Sequence, residues 1–188
     1  MNIYIGFSFR YIRKIVSRMI VVAVVLFSVS TASAQTNAIR YSDYVNNTRT
    51  PSKSPLAVSN NVGLLIQLST EISPAIYLSD SKSVGYGNGT PLVVYSDAQS
   101  IPMMYNQNDD FNAVELLVVS MNKPDDEKVT LVLKNLTSFI NLKYVLLVYK
   151  YDSCGKNQDG CLKLKTDTMV MSVPGSTLTV LYSLSIPQ

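Results

Sequence analysis

From Val62 onward the chain sets short apolar runs, rich in Val, Leu, Ile and Tyr, between clusters of Gly, Pro, Asn and Asp. Turn signals that recur roughly every dozen residues between such runs predict strands. The candidates are VGLLIQLS at 62–69, PAIYLS at 74–79, PLVVYS at 91–96, AVELLVVSMN at 113–122 and KVTLVLKN at 128–135. LKYVLLVYKY at 142–151, CLKLK at 161–165, TMVMSV at 168–173 and STLTVLYSLSI at 176–186 complete the set. The last has the clearest period of two, with Leu178, Val180, Tyr182, Leu184 and Ile186 on one face and mostly polar residues on the other. ELLVV and YVLLVY are apolar on both faces, which suits central strands covered on both sides, or helical segments that periodicity alone does not separate from strand. Their β-branched content favours strand.

After residue 35 no stretch sustains a helical stripe of apolar positions, although LTSFINL at 136–142 could form a single turn. Eight or nine antiparallel strands must hide apolar faces, and stacking two sheets does so. The pattern therefore predicts an all-β fold, an antiparallel β-sandwich of the immunoglobulin-like or jelly-roll kind, with a closed barrel as the alternative.

The first 34 residues have a different texture. Arg10, Arg13, Lys14 and Arg18 precede the apolar run MIVVAVVLFSV at 19–29, and small residues follow at Ala32-Ser33-Ala34. This is the layout of a signal peptide cleaved after Ala34, and the apolar run is short of the ~20 residues that a membrane span needs. Residues 1–34 are thus expected to be a signal peptide, 35–61 a polar extended arm or linker containing Pro51 and Pro55, and 62–188 the sandwich domain. The processed protein would be extracytoplasmic, whether periplasmic, secreted or at the cell surface, and would keep no membrane segment.

Removing the leader changes the charge. The chain has 16 basic residues, and the 4 in the leader leave 12 against 13 acidic ones, a net charge of −1. With no basic run remaining, no nucleic-acid partner is expected.

Both cysteines fall in KYDSCGKNQDGCLKL, residues 150–164. An oxidising compartment and a turn-forming stretch between two candidate strands predict a disulfide, Cys154 with Cys161, across the mouth of a hairpin. The spacing is too wide for a C-x-x-C redox motif, and no further thiolate or imidazole is present to complete a zinc site. Neither a metal nor a cofactor is expected.

The chain contains no histidine. Ser-His-Asp and Cys-His nucleophile activation, histidine general bases and two-histidine zinc sites are therefore excluded. GYGNGT at 85–90 lacks the Lys-Ser/Thr of a phosphate cradle and reads as a hairpin turn. A glycosidase-type carboxylate pair would have to come from Asp109-Asp110, Glu115 or Asp125-Asp126-Glu127. Each has a simpler explanation in a turn or on an outer face.

Ten of the 12 tyrosines lie after the leader, and there is no tryptophan. Exposed tyrosines make adaptable contacts with sugars and proteins. Tyr86, Tyr95 and Tyr105, near turns, are the candidate ligand-binding residues. Two local resemblances add detail without defining a family. Asp167-Thr168-Met169 resembles the O-glycosylation signal of exported proteins in one group of Gram-negative bacteria, and TDTMVMSV at 166–173 is similar to the closing strand of some fimbrial subunits. The expected function is a non-enzymatic binding or cell-surface structural role with a protein or glycan partner. The alternatives are a fimbria-like subunit that self-associates through an edge strand, and a carboxylate-based glycan hydrolase.

Overall fold

A computed structural model describes residues 36–47, 58–155, 158–172 and 175–186. The leader at 1–34 and the two prolines of the expected arm lie outside the described residues. The strands are β1 Ile39–Arg40, β2 Ala75–Ser79, β3 Lys82–Tyr86, β4 Val93–Asp97, β5 Leu116–Met121, β6 Leu131–Val132, β7 Tyr144–Tyr149, β8 Val170–Met171 and β9 Thr179–Leu184. Among the described residues three α-helices accompany them: α1 Tyr41–Asn47, α2 Val58–Thr70 and α3 Gln158–Met169.

Seven strands form one sheet in the order β1-β9-β7-β5-β4-β2-β3, and every neighbouring pair is parallel except β2 with β3. The fold is therefore mixed α/β, and the antiparallel β-sandwich expected from the strand pattern is overturned. The stretches at 62–69 and 161–165 lie in α2 and α3 rather than in strands, while 128–135 holds only the two-residue β6, flanked by 3₁₀ turn at 128 and 133–135. The fimbrial resemblance at 166–173 also gives way, because α3 runs to Met169 and only Val170–Met171 is strand.

The reason lies in what joins the strands. Successive strands β2, β4, β5, β7 and β9 step in one direction across the sheet, so all but the first connection are parallel crossovers. These connections are built from 3₁₀ turns at Ala98–Tyr105, Asp109–Phe111, Pro124–Lys128 and Leu133–Asn135, with α3 in the last. Ile101, Met104, Phe111 and Val114 from the first crossover, Leu131, Leu136 and Phe139 from the second, and Leu162, Met169 and Val170 from the third share one core. Ile76, Leu78, Val94, Leu117, Val119, Val145, Leu147, Tyr149, Val180 and Tyr182 of the sheet complete it. All three crossovers thus cover one face, as a constant crossover hand requires when the strands advance in one direction. Phe111 stacks on Phe139 with ring centroids 4.6 Å apart, joining two of them.

Among the described residues the second face is covered only in part. Leu65 and Leu68 of α2 pack on Ala75, Val93, Leu116, Val118, Tyr144, Leu146 and Leu181. Most of these residues stand near the amino ends of their strands. Tyr144 is buried there and donates to the Asn61 carbonyl at 2.6 Å, and burial pushes its phenol well above the ordinary range, with Tyr44 and Glu115 adding to the effect. The expected arm contributes elements of the fold. The Ala38 N–H donates to the Asp167 carboxylate at 2.7 Å, Thr36 donates to the Val170 carbonyl at 2.6 Å, and β1 pairs with β9.

The disulfide is Cys154–Cys161, with α-carbons 6.0 Å apart. It joins the loop after β7 to α3, not two strands of a hairpin, because residue 161 is helical. GYGNGT likewise closes no hairpin. β4 pairs with β2 on the side opposite β3, so this segment crosses the amino end of β2. The crossing is tight at Gly87, where φ is +86° and a β-carbon would come within 3.0 Å of the Pro74 α-carbon.

Candidate functional site

In an open parallel sheet, side chains at the carboxyl ends of the strands line a crevice that the connecting loops leave accessible, and ligands bind there. In this chain the helices of the second face stop short of those ends. Odd-numbered residues of β2 and β4 share that face with even-numbered residues of β5, β7 and β3. Tyr77 therefore stands beside Tyr95 in the ladder, and Asp97 beside Ser120.

Tyr77 stacks on Tyr95 with ring centroids 4.8 Å apart and receives Tyr86 edge-on at 5.1 Å. Tyr86 comes from β3, which is exposed along its whole length. Tyr77 and Tyr86 remain 43% and 60% exposed, so the cluster is accessible although its rings are mutually packed. Burial, and then the neighbouring Tyr77, push the Tyr95 phenol above its ordinary value. It is a neutral hydroxyl throughout the physiological range.

Two shallow concavities meet at Tyr77 and Ser79. One, about 530 Å³, is lined by Tyr77, Ser79, Asp80, Lys82, Val84 and Tyr86. The other, about 270 Å³, extends along the strand ends past Tyr95, Ser96 and Asp97 to Ser120, Asn122 and Lys150. The first is an aromatic wall on the outer strands, and the second a polar floor over the central ones.

Asp97 builds the rim between them. One carboxylate oxygen accepts the Ser100 N–H at 2.7 Å, capping the 3₁₀ turn at 98–105, and the other accepts the Asp80 N–H at 3.4 Å. Burial opposes its ionisation, but hydrogen bonds from Ser100, Ser79 and Asp80 outweigh that and hold the carboxyl below its usual range. Asp97 is thus an ionised brace and not a proton donor. The turn it braces, Asp80-Ser81, has φ of +52° and +60° at two residues that carry β-carbons. That is the I′ geometry which a two-residue hairpin demands and which glycine usually supplies.

Other sequence-derived candidates lie elsewhere. Tyr105 donates to the Thr130 carbonyl at 3.3 Å and accepts from the Val132 N–H at 2.9 Å, so its hydroxyl ties the 98–105 turn to β6 and does not join the other tyrosines. Glu115 stands just before β5 in an ion pair with Lys143 at 2.7 Å. Asp126 is buried and accepts the N–H groups of Asn122 at 2.8 Å and Lys123 at 3.2 Å and the Gln99 amide at 3.1 Å.

Glu127 accepts the hydroxyls of Tyr151 and Ser153 and pairs with Lys165 at 2.8 Å. Burial opposes the Glu127 charge, yet hydrogen bonds from Lys165, Ser153 and Tyr151 and the Lys165 charge hold its carboxyl below the ordinary value. Lys165 also reaches the Ser153 hydroxyl at 2.6 Å. A serine-lysine pair needs a neutral amine to remove a proton, and an ammonium held by a carboxylate cannot do so. This cluster fastens the turn after β5, the loop after β7 and α3 to one another.

The pattern of apolar and polar positions does not distinguish Tyr77, Ser79, Asp97, Ser120, Asn122 and Lys150. Their signal is positional, since all but Tyr77, which stands in the middle of β2, lie in or just beyond the last residues of an apolar run. That position has meaning only once the strands are known to be parallel. No helix among the described residues is long and apolar enough to cross a membrane, and no cluster of His, Cys, Asp and Glu there is suited to a metal ion. Comparison with protein-family models, curated proteins and solved structures found no match to this chain.

Proposed function

We propose that this chain is an exported, non-enzymatic binding protein whose ligand is a carbohydrate, held on the sheet face beyond α2, from the tyrosines of β2, β3 and β4 to the polar side chains at the carboxyl ends of β4, β5 and β7. The observation that carries the reading is the convergence of Tyr77, Tyr86 and Tyr95 beside a floor of Ser, Asn and Lys side chains. Ligand sites combine apolar wall with a few placed polar groups, and tyrosine offers a flat apolar body with a polar tip. The C–H faces of a sugar ring would lie against the tyrosines while its hydroxyls exchange hydrogen bonds with Ser120, Asn122 and Lys150. The disulfide is compatible with an oxidising, extracytoplasmic setting. A hydrolase reading finds less support, because Glu115 and Glu127 are held in ion pairs, Asp126 is committed to backbone donors and Asp97 is a brace.

The test is a panel of neutral and acidic oligosaccharides, screened by array and followed by calorimetry on any that bind. Tyr77→Ala and Lys150→Ala should each weaken binding by about tenfold, equivalent to ~1.4 kcal/mol, with the circular dichroism spectrum unchanged. A panel without a binder, or a binder indifferent to both substitutions, would refute the assignment.

A further inference from the structure

The outer edge of the sheet carries a second feature, the outward-directed backbone of β3, whose side chains Lys82, Val84 and Tyr86 also line the first concavity. Among the described residues β3 is the last strand, paired only with β2, and all five of its residues are exposed. In a two-residue hairpin the closing pair is hydrogen-bonded, here Ser79 with Lys82, and bonded pairs then alternate along the ladder. Lys82, Val84 and Tyr86 therefore direct their backbone groups inward to β2. Ser83 and Gly85 direct theirs outward, with no side chain at Gly85 and open space around its α-carbon.

We infer that β3 pairs antiparallel with β3 of a second copy about a two-fold axis through Val84. An antiparallel partner must place outward-directed residues opposite one another, and only the register centred on Val84 does so while using the whole strand. Ser83 then faces the partner's Gly85 and Gly85 the partner's Ser83, each pair exchanging both N–H···O=C bonds. On the tyrosine-bearing face, Val84 meets its own symmetry mate. Lys82 lies opposite the partner's Tyr86, and Tyr86 opposite the partner's Lys82.

The short sequence Lys-Ser-Val-Gly-Tyr is thus complementary to itself when reversed: cation against aromatic ring, small against small, apolar against apolar. A self-complementary patch is what a two-fold interface requires. Lys82 is also the residue type that discourages indiscriminate pairing at an edge, so its placement opposite a tyrosine selects this register over slipped ones. The pairing would continue the sheet from one copy into the next and align their two tyrosine surfaces on one face. It depends on backbone directions at the edge and not on what the crevice binds, so the two readings can fail separately.

The experiment uses protein purified from cells expressing the full chain, with sedimentation velocity as the readout. At ~100 μM the protein should contain dimer in rapid exchange with monomer, and Gly85→Pro, which removes an outward N–H without touching the β2 ladder, should raise the dissociation constant at least about tenfold. Val84→Cys provides a check independent of any folding defect in that variant. Residue 84 forms a close non-hydrogen-bonded pair with its mate, so mild oxidation should give a disulfide-linked dimer, whereas Ser83→Cys should not cross-link. A monomer at that concentration, a dimer unaffected by Gly85→Pro, or cross-linking no better at 84 than at 83 would overturn the proposal.

Discussion

Replacing Glu127 by Gln tests whether the cluster around that carboxylate holds three segments together. Glu127 receives Tyr151, Ser153 and Lys165, the last at 2.9 Å to one oxygen and 2.8 Å to the other. A hydrogen bond to a charged group contributes about 1.5–3 kcal/mol net, but the three losses do not add. Glutamine keeps one carbonyl oxygen, both hydroxyls can rotate toward it, and Lys165 retains the Ser153 carbonyl at 3.0 Å and hydroxyl at 2.6 Å. What is lost is one charge-assisted bond and the attraction between opposite charges. The side chains of Lys165 and Glu127 are 30% and 19% exposed, so solvent screens part of that attraction and the cost of breaking a fully buried pair does not apply.

The expected destabilisation is about 2 kcal/mol at pH 7, read as the difference in urea unfolding free energy. Its pH dependence follows from the lowered folded-state pKa. A carboxyl depressed on folding stabilises the native state above its unfolded value, about 4.3, and that contribution is lost as pH falls through the folded value. The wild type should therefore lose its advantage over Glu127→Gln progressively below about pH 4.3, while the two stay parallel from pH 5 to 7. A gap that does not narrow on acidification, or one under about 0.5 kcal/mol at pH 7, would mean that the cluster is an ordinary solvated ion pair.

Two further outcomes concern neighbouring devices. Cys154→Ser with Cys161→Ser opens a short loop whose closure is worth about 2.5 kcal/mol in the chain-entropy account, and hydrogen exchange should show α3 losing protection first, because Gly160, Thr166 and Thr168 give it little helical propensity of its own. Asp126→Ala should cost about 2–4 kcal/mol by thermal or urea unfolding, since it leaves two backbone N–H groups and the Gln99 amide without their acceptor, and it should weaken any ligand that contacts Asn122.

Much of the sheet was readable in the residues, and its arrangement was not. The runs LLVVSM and YVLLVY are apolar on both faces because β5 and β7 lie in the middle of the sheet with cover on either side. That composition marks parallel strands as well as sandwich cores, and the decision between them rests on the connections. Here the connections concealed the answer. Two of the three parallel crossovers beyond β4 hold no α-helix, being 3₁₀ turns with short apolar spacings. The helix in the third, QDGCLKLKTDTM, carries alternating Leu162 and Leu164 that mimic a strand. α2 was read as a strand because GLLIQL is continuous along the chain, although Leu65 and Leu68 fall on one helical face three residues apart.

The candidate site was legible to the same degree. Tyr86 and Tyr95 stood out as tyrosines near turns, but what joins them is Tyr77, in the middle of β2, and no local rule distinguishes it from a core tyrosine such as Tyr149, whose phenol burial pushes up to about 12. The disulfide needed only compartment and spacing, and so survives the change of fold around it.

The pairing of β1 with β9 sets the order in which the chain can finish folding. Ile39 has no strand partner until Leu181 arrives, and Thr36 donates to a carbonyl 134 residues further along. A chain delivered amino end first must keep this segment waiting until residues 179–184 have emerged. Tyr41 can meet Ser69 early, but the pairing of β1 cannot be completed before β9 has formed, so a product cut short of β9 would leave Ile39–Arg40 without its strand partner.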